Sequence, residues 1–523
     1  MPSLLRATLP RSGRIRAAAT LTAVLVLLAP GCGDPAPQRN LLLVTFDTLR
    51  ADRTGVYGNT DWGRSTTPQL DRLAARGTVF ERALAPRGQT HPSLASMLSG
   101  KYPITTGVRE NGHMLLPEHR TVIEHLREAG WQTGVFLANF DVGLEGDSWA
   151  FRGALLAGDG YRGRRAQEAR NESRFQREWD DRVEETALSF FERIDRNRPW
   201  AAWVHFYDIH KPFNPPPGHD LYGHSEGLPE ALVAPGPDSG AALEAHLREI
   251  TLGEREVPAA ELRRILGLYD GAVTATDARL GRLLDRLEQL GELEHTYIVF
   301  SSDHGEELYE HNRYFFHGAS IYDATLRIPL VIVGPGLPAG RRLPQTVQIM
   351  DIAPTVLDLL GLELPEDHEG RTLVPLLTGA SSDPPRPYAF IEWQDVIYSV
   401  ADGRWSYIHN PQHVHPAKPP YYVPGSPPTR GFPIDCFEAY DLQGDPRQQH
   451  NLLEQGTVRR SEDLPEHIRP LLAALSAWLA DPRHERSMSQ PGLSLERLEQ
   501  LRALGYVGGG FERDDLVYGE PCH

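Results

Sequence analysis

Cysteine is scarce in this chain, with three in 523 residues, at positions 32, 436 and 522. Two in the body of the protein, Cys436 and Cys522, are too few for a disulfide framework or a cysteine-based zinc cluster. A single bridge between them is allowed, and spacing alone does not decide it. Positive charge is also in deficit: 53 Lys and Arg face 70 Asp and Glu, a net charge of −17. No basic surplus is left to neutralise a phosphate backbone, so a nucleic-acid partner is excluded. A small anionic substrate is not, because a bound metal can override the global sign locally. No internal repeat is present. The one apolar run near the N-terminus, "AAATLTAVLVLLAPG", is too short for a comfortable membrane span.

That run follows Arg6, Arg11, Arg14 and Arg16 and ends in small residues beside Cys32, so residues 1–32 read as a targeting segment. The pattern resembles a bacterial lipoprotein signal with Cys32 as the lipidated residue; an ordinary cleaved signal or an uncleaved anchor are the alternatives. All three send the chain out of the cytoplasm, to the periplasm or to a membrane tether, with the N-terminal anchor as the only membrane contact.

The length calls for one large domain and a smaller one. "NLLLVTF" (40–46) and "TYIVFSS" (296–302) are continuous apolar runs of the kind that form strands buried on both faces. "PWAAWVHFY" (199–207) and "RIPLVIVG" (327–334) repeat the texture, and "ARLGRLLDRLEQLG" (278–291) carries a helical stripe suited to a core. Strands alternating with amphipathic helices predict an α/β fold with a large, mostly parallel sheet over 40–385. Aromatic and β-branched residues after 385 predict a small antiparallel sheet subdomain over 386–455, followed by a helical tail over 456–523.

In parallel sheets, functional groups collect beyond the carboxyl ends of strands. Asp47 follows the first run, Asp208 and His210 follow the third, and Asp303-His304 follow "TYIVFSS". In "RGQTHPSLASMLSG" (87–100), Thr90 precedes Pro92, a residue suited to a first helical turn, with Ser93 next to it. A threonine there often does no more than cap the helix. As a nucleophile it would gain from the positive end of the helix dipole, which also favours an anionic ester.

The ordered set "NLLLVTFDTLRADRTGVYG", "TTPQLDRLAARGTVFERALA", "THPSLASMLSGKYPITTGV", "SSDHGEELYEH", "RIPLVIVGPGLPAGRR", "DIAPTVLDLLGL" and "AYDLQGDPRQQHNL" resembles the sulfatase family of the alkaline-phosphatase superfamily, from about residue 40 to 455. The resemblance implies that fold and a metal-dependent ester hydrolase. It also exposes four departures. Thr90 and Leu94 stand where the family has a formylglycine precursor and an arginine, and a threonine oxidises to a ketone rather than to an aldehyde. The family's lysine and histidine after the next strand are missing, with Asn139 in that region. Asp47-Thr48 replaces an Asp-Asp pair, and Asp303-His304 an Asp-Asn pair.

Threonine with an Asp-His pair is similar to the family's phosphate-handling relatives. The reading is therefore a phosphate mono- or diester hydrolase working through a Thr90 covalent intermediate. The alternatives are a sulfuric ester hydrolase and a transferase of phosphoethanolamine or glycerophosphate to an envelope glycan or lipid. The substrate is a small-molecule, glycan or lipid ester. Asp47, Asp303, His304 and the Thr90 oxygen are the expected ligands of one divalent metal, Zn or Mn in preference to Ca. His210 is expected to face the leaving group, and His317, Asn111 and Asn139 to bind substrate. His205, Asp208 and His311 rank behind them. A second metal held by His205, Asp208 or His317 is left open.

Overall fold

The computed structural model describes residues 39–137, 172–411, 414–416, 436–453, 461–484 and 516–518, apart from 112, 224–225, 234–239, 253–254, 312–314, 316, 319 and 394–395. The targeting segment, Asn139, Cys522 and the second amphipathic stretch of the tail lie outside these residues. Cys436 is disulfide-bonded, and its partner also lies outside them.

An eight-stranded sheet forms the centre. Its strands are β1 (Asn40–Phe46), β2 (Thr78–Leu84), β3 (Gln132–Leu137), β4 (Trp200–Phe206), β5 (Thr296–Ser302), β6 (Arg327–Ile328), β7 (Leu330–Val333) and β8 (Arg341–Gln348). The order is β3-β4-β1-β5-β7-β2-β6, with β8 paired to β2. The strands β3, β4, β1 and β5 run parallel, and every residue of β1, β4 and β5 is buried.

Alternate residues of β1 serve opposite faces, as the two-residue period of a strand requires. Leu42, Val44 and Phe46 join a cluster with Leu268, Val273, Leu280, Leu283 and Leu287 of the long helix Ala259–Gln289. Leu41 and Leu43 join Leu94, Met97 and Leu98 of the helix Thr90–Ser99 on the other face. The stripe at 278–291 is thus core.

The 327–334 run was expected to continue the parallel pattern, but β7 is antiparallel to β5 and to β2. Among its described residues, the link from β5 carries as its helix the four-residue Asp323–Leu326, too short for the crossover that a parallel return needs. Because β7 is antiparallel to both neighbours, β2 still points the same way as β5, and the loop after β2 emerges at the crest shared by β1, β4 and β5.

Strands β9 (Ala389–Trp393), β10 (Ile397–Ala401), β11 (Trp405–His409) and β13 (Phe437–Asp441) build a four-stranded antiparallel sheet in the order β13-β11-β10-β9. The tail supplies the helix Arg469–Leu479, and it is not wholly helical: Leu516–Tyr518 (β14) pairs with Val414–Pro416 (β12). Among the described residues, no helix is long and apolar enough to cross a membrane.

Candidate active site

Three adjacent strands, β4-β1-β5, deliver the centre. Asp47 leaves β1 with its N–H donated to Phe206 O, 2.8 Å, which ties the ends of β1 and β4 together. Ser302 Oγ does the same for β1 and β5, donating to Phe46 O at 2.7 Å and accepting from Leu49 N at 3.0 Å. Thr48 then takes a left-handed conformation, φ 56°, which for a β-branched residue costs about 1–3 kcal/mol. It is held there because its N–H donates to Asp303 Oδ1, 3.1 Å, and its carbonyl accepts from the Tyr269 hydroxyl, 2.7 Å.

Asp303 Oδ1 also accepts from His304 N, 2.8 Å. One oxygen of this carboxylate is therefore spent on the backbone, while Oδ2, fully buried, has no hydrogen-bond partner among the described residues. Gly305 follows because a Cβ there would lie 2.4 Å from Ala324 O. Its N–H donates to Thr325 O, 2.8 Å, which pins the loop.

His205 reaches the same spot from β4. Its Nδ1 lies 2.8 Å from Thr45 Oγ1, its register partner on β1, and that hydroxyl accepts from Trp203 Nε1 at 2.9 Å. Nε2 faces Asp47 Oδ2 at 3.4 Å and has no hydrogen-bond partner among the described residues. Burial pushes His205 down to about 4, against the charge of Asp303, so the ring is neutral at neutral pH. With its proton on Nδ1, the ring turns a lone pair toward the two carboxylates.

Asp47, His205 and Asp303 each place one ligand atom within 4.8 Å of the others, all wholly buried. Two buried carboxylates facing each other are unfavourable without a cation, and two orphaned ligand atoms point at the same place. The residues fit a divalent metal. His304 Nε2 borders the group, 3.4 Å from Asp303 Oδ2, and lies 3.3 Å from Thr90 Oγ1.

Thr90 opens the helix Thr90–Ser99, with Gln89 at the N-cap. Ser93 Oγ donates to Arg87 O, 2.6 Å, which fixes the entry of the chain, and Asn111 Oδ1 accepts from His91 N, 3.0 Å, in the first turn. Asn111 therefore supports the helix end. Leu94 is fully buried in the core, so it offers nothing to an ester.

The histidines form a row. The ring of His317 lies 4.5 Å from His304 and 5.0 Å from His210, and His210 stacks on Tyr207 at 4.5 Å. His210 Nδ1 lies 2.8 Å from Lys211 O, a contact in which the ring N–H donates. Burial, reinforced by the charge of His317, holds His210 well below its ordinary range, and burial with His304 does the same to His317. Glu306, whose Oε2 is 3.1 Å from His317 Nδ1, is pushed up to about 8 by burial, with Lys211 and His304 opposing.

Two candidates fall elsewhere. Asp208 is taken by the long helix: Arg279 Nη2 is 3.0 Å from its Oδ2. His311 is paired with Glu307 at 3.1 Å, lies 3.2 Å from Gln448 O and stacks on Tyr322. Burial alone would lower His311, but Glu307 outweighs it and raises the ring to about 9. A folded value above the unfolded one stabilises fully below pH ~6.5 and is lost as pH rises through ~9. The difference in unfolding free energy between the wild type and His311→Gln, from melts across pH, is expected to be largest near pH 6. By pH 9.5 it is expected to shrink by up to roughly 3 kcal/mol.

Sequence reasoning ranked His205 too low and passed over Glu306 and Lys211. The signal for His205 was its position as the last but one residue of an apolar strand run; what was missing was the register with β1.

A model of the Sulfatase family matches residues 39–362. The chain belongs to the sulfatase family. It is 24% identical to the N-acetylglucosamine-6-O-sulfatase of Bacteroides thetaiotaomicron, over 84% of this chain and 88% of that protein. To the choline-sulfatase of Rhizobium meliloti it is 26% identical, over 79% and 82%. In fold, this sulfatase-family chain matches the phosphonate monoester hydrolase of Agrobacterium radiobacter with a TM-score of 0.59, over 92% of this chain and 100% of that one, at 22% identity. At that identity the likeness speaks for the fold alone. Members of this superfamily are metal-dependent hydrolases, which agrees with the buried Asp47, His205 and Asp303.

Proposed function

We propose that this chain hydrolyses sulfate esters of small molecules or glycans, with Thr90 as the nucleophile. The carrying observation is Thr90 Oγ1 at a helix N-terminus, 3.3 Å from His304 and next to the buried ligand group. The sulfatase names of relatives matching about four-fifths of the chain support sulfate as the ester.

Asp47, His205 and Asp303 would hold the metal, with His304 and Thr90 at its edge. When bound, it supplies Lewis-acid stabilisation and lowers the pKa of a coordinated hydroxyl. A nitrogen ligand favours Zn or Mn over Ca. Thr90 loses its proton to solvent, its oxygen forms a bond to sulfur, and the bond from sulfur to the leaving alcohol breaks. His210 gives a proton from Nε2 to the leaving oxygen; the charge of the bound ester is what lets this buried ring carry that proton. Water then attacks sulfur, returns a proton to His210, and Thr90 leaves and is reprotonated. The helix dipole and Lys211 favour the anionic group throughout.

A second reading, hydrolysis of phosphate mono- or diesters, is favoured by Thr90 itself. This residue cannot become a formylglycine hydrate, so a sulfothreonine lacks that hydrate's elimination route. Paired aryl sulfates, phosphates and phosphodiesters decide between them. Turnover of the sulfate at least tenfold above both phosphorus esters is expected; the reverse order would reject the sulfate reading in favour of the second. We also infer that residues 1–32 export the chain, supported by the basic stretch, the apolar run and Cys32.

A further inference from the structure

One carboxyl group in the centre has no part in the scheme above. Glu306 is fully buried, and its Oε2 lies 3.1 Å from His317 Nδ1. It stands three residues after Asp303 on the loop that Gly305 pins to Thr325, so its backbone cannot drift. His317 comes from the far end of the same connection, and its ring is 4.5 Å from His304, the residue that meets Thr90. The rotamer and tautomer of an imidazole are selected by what ties down one of its nitrogens.

We propose that Glu306 is a positioning residue. It engages Nδ1 of His317, fixes the plane of the ring, and leaves Nε2 as the nitrogen presented to the anionic oxygens of the ester. The role of Glu306 passes entirely through His317, in the way that outer carboxylates orient functional histidines in other sites. Lys211 lies close enough to Glu306 and to both His210 and His317 to act on them electrostatically. This inference rests on the assignment of His317 to the substrate.

A double-mutant cycle on the metal-loaded full chain tests it. Glu306→Leu removes the group that ties down Nδ1, and it is expected to lower kcat/KM about 10- to 100-fold. In a His317→Ala background the same change is expected to cost less than about 3-fold, because its target is gone. Glu306→Gln, which keeps a hydrogen-bonding group against Nδ1, is expected to stay within about 5-fold of wild type. The same cycle is run on the dissociation constant of inorganic phosphate. That arm reads Glu306 even if no tested ester is turned over, so failure of the hydrolase reading is kept apart from failure of this one. Equal losses in both backgrounds, or a Gln variant as weak as the Leu variant, would overturn the proposal. If the Leu variant does not fold, Glu306→Ala takes its place in both backgrounds, with the same expected and contradicting outcomes.

Discussion

Replacing Thr90 by alanine is expected to lower kcat/KM by roughly 10³-fold or more, while thermal stability and metal content stay near wild type. The hydroxyl is the only part of the side chain that the scheme uses. Alanine keeps the β-carbon at the helix start, and Gln89 rather than Thr90 sits at the N-cap. Thr90→Ser keeps an oxygen in place and is expected to retain activity to within about tenfold. Steady-state kinetics with the best substrate of the panel, beside a melt and elemental analysis, check all three statements. An alanine variant of near-normal activity would mean that another group attacks.

Replacing Asp303 by asparagine is expected to lower metal affinity by roughly 10²-fold or more, and with it turnover. The substitution is chosen because the two oxygens of Asp303 do different things. Oδ1 accepts from Thr48 N and His304 N, and an amide oxygen can continue to do so. Oδ2 has no hydrogen-bond partner among the described residues and faces His205 and Asp47. Losing its charge removes a metal ligand but also removes a buried repulsion with Asp47. The metal-free variant is therefore expected to melt no lower than metal-free wild type, whereas added metal raises the melting temperature of wild type alone. Melts with and without Zn²⁺ or Mn²⁺ read this reversal. A variant destabilised equally with and without metal would show that Asp303 is only a structural acceptor.

Much of this arrangement was legible in the chain. The apolar runs at 40–46 and 296–302 carry the signature of strands buried on both faces, which places the acidic residues after them on the crest. The helical stripe at 278–291 declared itself as core through its period. The family motifs then tied Thr90 to the same crest.

What stayed hidden depends on register and on partners distant in sequence. His205 enters the ligand group because β4 pairs with β1 so that His205 faces Thr45, and nothing local in "WAAWVHF" specifies that neighbour. Asp208 read as a site residue because it follows a strand; only the fold brings Arg279 against it. His311 ranked as a second-line candidate from its place after the Asp-His pair; only the fold brings Gln448 against it beside Glu307. The reversal of β7 follows from a connection whose helix is too short for a crossover, which an apolar run by itself does not reveal.

The most direct measurement is anomalous diffraction at the absorption edge of the bound metal, from crystals of the full chain grown with Zn²⁺ or Mn²⁺ and soaked in vanadate. The account predicts one strong anomalous peak bonded to Asp47, His205 and Asp303, with Thr90 Oγ within bonding distance of both the metal and the vanadium. A peak elsewhere, or vanadium bound with the Thr90 hydroxyl turned away from it, would contradict the account.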